Sequence, residues 1–583
     1  MTILQKLEED IKKAYINAGY NIEKIALEPS NRKDLGEYQL NDAMALAKIY
    51  HENPIEIANK IVQELITNKS FSNINIAGPG FINFSLSHEY TYKFLNEINK
   101  DLFSNIEKQN SKKIIIDYGG ANVAKALHVG HLRSANIGEA LKRLARLLGH
   151  EVLGDAHLGD YGRPLGFVVL EIKKRYPNLE YFNPSYEGTY ENIDLPITNA
   201  DLENIYPIAS QKAKEDENYL EEGRIVTAKI QNHEKGYYDL WKKIVDISKQ
   251  DIKSVYDTIN TEFDLWLGES DAENYVEELK KIYEDKNLLI DSEGAKIIEV
   301  SEETDTKPMP PLLFIKSNNT LSYETTDLAT ILQRKKDYNP DEIWYVVDKR
   351  QSLHFEQVFR AAKKAQIVED KVNLEHIGFG TMNGQDGKPF KTRDGGVMTL
   401  KELINVVYKE TIKKITNESI KEEEKSEIAK TVAIAALKYA DLLPFRATDY
   451  IFEVEKFSDL EGKTGPYLLY STIRMKSLLK KSNEDIEKLK ITKLKTETEK
   501  EIALTILNLP SALNKSFLTK SLNEISEYLY KLTSLYNKFY SENKILTEND
   551  KELKESWIAL TNIVYKINKM LLEVLAINIP EKM

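Results

Sequence analysis

A short apolar run, Lys113-Ile114-Ile115-Ile116-Asp117-Tyr118, passes through a turn of small residues straight into a helical pattern. This junction limits the architecture more than any other part of the chain. Consecutive isoleucines read as a strand buried on both faces, the habit of parallel sheets. Beyond Ala121-Asn122-Val123-Ala124-Lys125-Ala126-Leu127-His128-Val129-Gly130-His131, the residues Leu132, Ile137, Leu141, Leu144 and Leu148 recur at three- to five-residue spacing, and Gly149 stands as the stop. His128 and His131 therefore fall where a strand ends and a helix begins. Ligands of open α/β sheets bind at such joints, and the positive helix end favours phosphate. Gly130 leaves one position without a side chain, so a flat base can approach the backbone. Alone, His-x-Gly-His is weak, because two surface histidines at a helix start look the same.

The stretch resembles the HIGH signature of class I aminoacyl-tRNA synthetases, and its flanks resemble the arginyl-tRNA synthetase family. The resemblance extends from the N-terminal region to the last residue. It implies an α/β multidomain protein: a Rossmann-type, doubly wound parallel sheet for catalysis, an N-terminal α+β tRNA-binding domain and a C-terminal all-α anticodon-binding domain. It implies arginine tRNA, L-arginine and ATP with Mg²⁺ as partners, and first transfer to the 2′-hydroxyl of the terminal adenosine. It also implies that arginine activation requires bound tRNA.

At 583 residues, three or four domains are expected. A hydrophobic content of 42% and a charged content of 30% fit a soluble globular protein. No run approaches the length of a membrane span, and the acidic amphipathic start is no secretory signal, so the cytoplasm is the expected compartment. Cysteine is absent, which excludes disulfides, a catalytic thiol and thiolate zinc; no histidine pair has metal-ligand spacing, so neither zinc nor another structural metal is expected. The net charge of −12 argues weakly against nucleic acid, yet basic residues are dense through 474–481 and 488–495. Solvated helix faces would show the same runs. Nothing demands more than a monomer.

The expected domains are 1–105, 106–400 with a helical insertion at about 176–285, a helical connector at 401–464, and 465–583. In the first, Ile74 to Phe84 reads as two strands around Gly78-Pro79-Gly80. Strand candidates of the second include Glu151–Asp155, Leu312–Ile315 and Glu342–Asp348. Glu461-Gly462-Lys463-Thr464-Gly465-Pro466-Tyr467 resembles the entry to the family's anticodon-binding domain, and Ile579-Pro580-Glu581-Lys582-Met583 its usual terminus.

An amino-acid carboxylate attacking the α-phosphate of ATP is already ionised. Catalysis is then positioning plus neutralisation of developing charge. Lys125, His128 and His131 supply suitable groups at a helix start, and Lys388, Lys391 and Arg393 form a second basic element. The latter, in Gly387-Lys388-Pro389-Phe390-Lys391-Thr392-Arg393-Asp394, resembles a degenerate KMSK loop with Thr392 in place of a lysine. The resemblance implies that Lys125 replaces the missing charge.

Choosing arginine demands carboxylates that match a planar cation with five N–H donors. Tyr323 and Asp327 stand one helical turn apart on one face. With Asp117 and Gln351 they match the family's side-chain-binding positions, within an arginine site that also takes in Tyr118, Gly119, Gly120 and Ala121; Asn122 and His131 match positions holding the amino-acid backbone. Lysine would leave fork-matched acceptors unpaired, costing several kcal/mol. Singly, Asp327 as a helix cap, Asp117 as a turn residue and Tyr323 as core are the plainer readings. His128, Gly130, His131, His354, Gln357, Gly378, Phe379 and Met382 are the candidate ATP-binding residues. Tyr38, Asn41, Asn83, Tyr467, Tyr470, Arg474 and Met583 are the candidate tRNA contacts, since aromatic and amide groups read unstacked bases; a core or turn role is the alternative for the N-terminal three. Two other functions share parts of this pattern: a small-molecule nucleotidylyltransferase, which leaves the helical C-terminal part unexplained, and a non-catalytic tRNA-binding paralogue.

Overall fold

The computed structural model describes residues 3–30, 32, 34–189, 195–318, 320–390, 398–416 and 420–583. The isoleucine run forms the strand Lys113–Asp117 at the inside of a four-stranded parallel sheet, ordered Asn373–His376, Glu342–Tyr345, Lys113–Asp117, Glu151–Asp155. Ile114 and Ile116 belong to one buried cluster and Ile115 to another, as alternation across a doubly covered sheet requires. The register sets Asp117 level with Asp155 on one side and Tyr345 on the other, and Tyr345 level with His376. The strand ends thus form one row. Single parallel bridges from Asp155 to Leu265 and from Leu158 to Gly268 prolong that edge.

Leu312–Ile315 is a strand, but it lies outside the parallel sheet expected for it. It pairs antiparallel with Ala295–Ile298, itself paired with Ile290–Ser292. The latter two strands are joined by Glu293 and Gly294, both at positive φ, the two-residue turn that folds a chain straight back on itself.

Tyr118 is also displaced from its expected place at the arginine site. Successive residues of an extended chain face opposite sides, so Asp117 and Tyr118 diverge. The Tyr118 ring is buried in a slot between two glycines. A Cβ at Gly138 would fall 2.2 Å from its Cγ, and one at Gly154 2.8 Å from Cε1. Its hydroxyl lies 2.8 Å from both Glu139 Oε2 and the Glu262 carbonyl. This lock seats the helix Val129–Leu147 against the sheet and so aims its N-terminus.

At the N-terminal end, a four-stranded antiparallel sheet is ordered Leu27–Pro29, Tyr38–Leu40, Phe81–Leu86, Phe71–Ala77, the last two forming the hairpin around Gly78 and Gly80. Residues 199–285 are mostly helical, through Asn199–Glu215, Glu217–Gln231, Lys235–Thr258 and Val276–Asp285. From Leu400 on, long helices dominate, ending with Lys551–Val574. The N-terminal module packs onto these helices: Asn96 Nδ2 donates to the Ile491 carbonyl at 2.9 Å and Asn562 Nδ2 to Asn99 Oδ1 at 2.9 Å. No described helix is long and apolar enough to cross a membrane.

Gly138→Ala should overpack the Tyr118 slot. The expected loss of stability is about 1–3 kcal/mol, measured by urea denaturation.

Candidate active site

The Val129–Leu147 helix begins with an unusual reciprocal cap. His128 Nδ1 accepts the Gly130 N–H at 3.0 Å, and His131 Nδ1 accepts the His128 N–H at 3.0 Å. Both rings are neutral: burial and then the nearby Lys125 ammonium lower His128, while burial and then His128 push His131 down to about 3. A neutral imidazole that accepts at Nδ1 carries its proton on Nε2. The two rings, 4.0 Å apart, thus offer two Nε2–H donors at a helix N-terminus, as an α-phosphate needs. Charge comes from Lys125, which is exposed. It follows Ala124, held at φ 62, a backbone form that costs a non-glycine residue of order 1 kcal/mol. Hydrogen bonds from Val123 N to the Gly159 carbonyl and from Ala124 N to Ser248 Oγ, both 3.0 Å, keep that turn in place.

The second basic element is tied beside the first. Val129 N donates to the Met398 carbonyl at 3.3 Å, Leu400 N to the Leu127 carbonyl at 2.8 Å, and Met398 N to the Phe390 carbonyl at 3.3 Å. Lys388 is exposed on the outgoing limb, its N–H held by Asp386 Oδ1 at 3.0 Å. Lys391, Thr392 and Arg393 lie outside the described residues.

The acidic pocket is built on one stripe of the helix Tyr323–Tyr338. Tyr323, Asp327, Thr330 and Arg334 recur every three or four residues, from a ring 68% exposed at the mouth to a guanidinium wholly buried at the floor. Asp327 Oδ2 lies 2.5 Å from His354 Nε2. Burial lowers His354, but the Asp327 carboxylate outweighs it and the pKa is raised. At the floor, Arg334 Nη2 donates to Asp117 Oδ2 at 2.6 Å and to Asp155 Oδ2 at 2.7 Å. Burial raises Asp117 despite this pairing; for Asp155, His157 and Arg334 overcome burial and hold the carboxyl well below its usual range. Thr330 Oγ1 stands 3.5 Å from His157 Nε2. Burial also pushes Glu269 up to about 7, with His157 opposing and Asp160 and Asp327 adding to the rise.

Asp155, His157, Glu269 and Arg334 were not among the expected site residues. For Arg334 a signal existed, since it continues the Tyr323–Asp327 stripe. Glu269 arrives only through the bridge between Leu158 and Gly268, which no local pattern announces.

Gly119 and Gly120 let the chain tuck beneath the pocket. Gly119 has φ 68, and a Cβ at Gly120 would meet the His157 carbonyl oxygen at 2.6 Å. Ala121 is buried, its carbonyl accepting the Gly159 N–H at 2.9 Å, and Asn122 beside it is exposed. Gln351 is exposed at the start of the helix Ser352–Lys364. Gly378, Phe379 and Met382 run beside the sheet end, with Lys349 N bonded to the Phe379 carbonyl at 2.9 Å; Phe379 and Met382 turn buried side chains inward. His354 belongs to the Asp327 wall, and the Gln357 amide is engaged by the Pro310 and Pro311 carbonyls at 2.8 and 3.2 Å.

Among the RNA candidates, Tyr38 and Asn83 are buried and present no surface, which corrects that expectation. Tyr38 stacks on Phe84 and its hydroxyl meets Asn508 Nδ2 at 3.4 Å. Asn41 is partly buried and held by Gln39 and Glu28. The Tyr467 hydroxyl accepts from Asn537 at 2.8 Å. Tyr470 is exposed, and Arg474 Cζ lies 4.7 Å from its ring centre and 5.2 Å from that of Tyr540. Ion pairs Lys476–Glu581 and Lys582–Glu424, both 2.6 Å, fasten the segment leading to the partly buried Met583.

Neutral donors at a helix N-terminus, flanked by lysines and an acidic pocket on a parallel sheet, define a class I aminoacyl-tRNA synthetase. The family model for the catalytic domain of class I (R) tRNA synthetases matches residues 95–454, the arginyl tRNA synthetase N-terminal domain 1–86, and the DALR anticodon-binding domain 468–583. The chain is 43% identical over 585 residues to the arginine–tRNA ligase of Alkaliphilus oremlandii and 40% over 594 to that of Francisella tularensis subsp. novicida, covering 100% of each chain in both cases. It therefore belongs to the arginyl-tRNA synthetase family. In fold it is similar to the arginyl-tRNA synthetases of Plasmodium falciparum (TM-score 0.80, 24% identity, 99% of each chain) and Thermus thermophilus (TM-score 0.76, 20% identity, 100% of each chain).

Folded His131 stays neutral until about pH 3, whereas its unfolded counterpart takes a proton near 6.5. Between these values the unfolded state binds more protons. Stability from this residue therefore falls as pH drops below about 6.5, by up to ~1.4 kcal/mol per pH unit. In denaturation curves at about pH 7 and pH 5.5, His131→Gln should lose less stability on acidification than the native protein, by roughly that slope.

Proposed function

We propose that the protein is an arginine–tRNA ligase that joins L-arginine to ATP, forming arginyl-adenylate and pyrophosphate. It then passes the arginyl group to the 3′-terminal adenosine of arginine tRNA, releasing AMP. ATP enters with its Mg²⁺. The observation that carries this reading is the pairing of two Nε2–H imidazole donors with an acidic pocket across one strand end. The arginine carboxylate is the nucleophile, so no general base is needed. His128 and His131 donate to the α-phosphate, and Lys125 and Lys388, with Lys391 and Arg393, oppose the charge developing on the phosphates. Asp117, Asp327, Tyr323 and Gln351 take the guanidinium, and Asn122 with His131 the amino-acid backbone. Gly378, Phe379 and Met382 border the adenosine through their main chain.

The anticodon loop is taken by Tyr467, Tyr470, Arg474 and Met583; the exposed Tyr470 ring carrying a guanidinium supports base stacking there. The domains divide near 105, 400 and 464. The enzyme works as a monomer in the cytoplasm, with no zinc.

Charging of bulk tRNA with each of the twenty amino acids, ATP and Mg²⁺ tests the reading. Arginine alone should be attached; attachment of another amino acid would overturn the pocket, and none at all the ligase. Two variants separate the roles. Lys125→Ala should cut kcat by ~10²–10³-fold with little change in arginine KM, because it serves charge developing in the transition state. Asp327→Asn should instead raise arginine KM by ~10–100-fold, the worth of a hydrogen bond to a charged partner.

A further inference from the structure

Parallel pairing brings Asp117 and Asp155 to the same level on neighbouring strands, where two like charges repel. Both turn to a single nitrogen. Arg334 Nη2 has two hydrogens and gives one to each carboxylate, at 2.6 and 2.7 Å. The guanidinium is fully buried, and its Cζ lies 5.3 Å from the centre of the Tyr345 ring. Donor atoms of Asp117, Asp155 and His157 all lie within 4.8 Å of one another, a spacing that suits a cation. The protein's own side chain fills that position. It reaches there from the same helical stripe that carries Tyr323 and Asp327, so pocket wall and pocket floor move as one body.

We propose that Arg334 is a positioning and selectivity residue for arginine use. It commits Asp117 through Oδ2 and leaves Oδ1 for the incoming substrate. It also bars other cations from the paired carboxylates. The substrate guanidinium is thus read beside a fixed guanidinium and not by a free pair of acids, so only one cation can be seated between Asp117 and Asp327. A shorter or non-planar cation then meets one committed carboxylate oxygen and cannot draw Asp117 towards itself. This inference rests on the assignment of Asp117 and Asp327 to the arginine pocket.

The test is steady-state charging by Arg334→Ala with arginine titrated at saturating ATP and tRNA. Arginine KM should rise about tenfold or more while kcat stays within about threefold, the mark of weakened substrate binding with the chemistry left intact. Guanidinium chloride at low millimolar concentration should restore much of the KM in this variant, by refilling the vacated space. In the native enzyme it should only compete with arginine. An unchanged KM, or a raised KM that guanidinium does not lower, overturns the proposal. If Arg334→Ala does not fold, Arg334→Gln combined with Asp155→Asn removes the cation and one carboxylate together. Its arginine KM should still rise about tenfold, and a native KM counts against the proposal. Asp327→Asn in the same assay separates the two levels of inference. A raised KM there with native behaviour at Arg334 defeats this proposal alone, and no change at either position defeats the pocket assignment.

Discussion

The parallel pairing that sets Asp155, Asp117, Tyr345 and His376 side by side creates the problem that the rest of the site resolves. Strand ends in such a sheet point their polar residues to one edge, and two of the four here are carboxylates. Arg334 supplies the counter-charge from the helix Tyr323–Tyr338, which fixes how that helix lies on the sheet. Asp327 is then carried to the pocket wall and Tyr323 to its mouth by helical period alone. Across the same edge, the Tyr118 slot seats the Val129–Leu147 helix and aims its N-terminus at the pocket. The acidic pocket and the histidine-capped helix end are thereby placed by two contacts on opposite sides of one strand.

Electrostatic work in the phosphate site is divided between two kinds of group. The histidines are partly buried and neutral, and they use Nδ1 to cap their own helix, which fixes the orientation of their rings. Donors fixed in this way need no reorganisation as charge develops. The lysines of the site, Lys125 and Lys388, are exposed at the rim, where no burial penalty falls on a charge. A buried ammonium would face the fate of Lys438, which burial pushes down to about 7.

The strand–turn–helix unit was legible because Ile114 to Ile116 and the leucine spacing each obey one local period. Tyr323 and Asp327 were legible for the same reason. The Tyr118 side chain parts from Asp117 because neighbours in an extended chain face opposite sides, and only the tertiary slot between two glycines shows where it goes. Tyr38 and Asn83 look like exposed strand residues in isolation. They are buried because Phe81–Leu86 is covered on both faces, and Asn508 from the distant helical part reaches Tyr38. Asp155, His157 and Glu269 converge through strand register and two isolated bridges, pairings between residues more than thirty apart in sequence. Periodicity is blind to such pairings.

The pocket's own chemistry explains why a guanidinium stands at its floor. Asp117, Asp155, Asp160, Glu269 and Asp327 gather around His157 and the end of one strand, and burial raises Glu269, Asp160 and Asp117. Left to themselves, such groups would neutralise by taking up protons and lose their affinity for a cation. Two cations, Arg334 and His354, stand against this tendency at the pocket floor and wall. His157 and the permanently charged Arg334 together hold the Asp155 carboxyl below its usual range, while Asp327 raises His354 against burial. In the proposed reading, the residual acidity is left for one further planar cation, the substrate guanidinium, beside the protein's own.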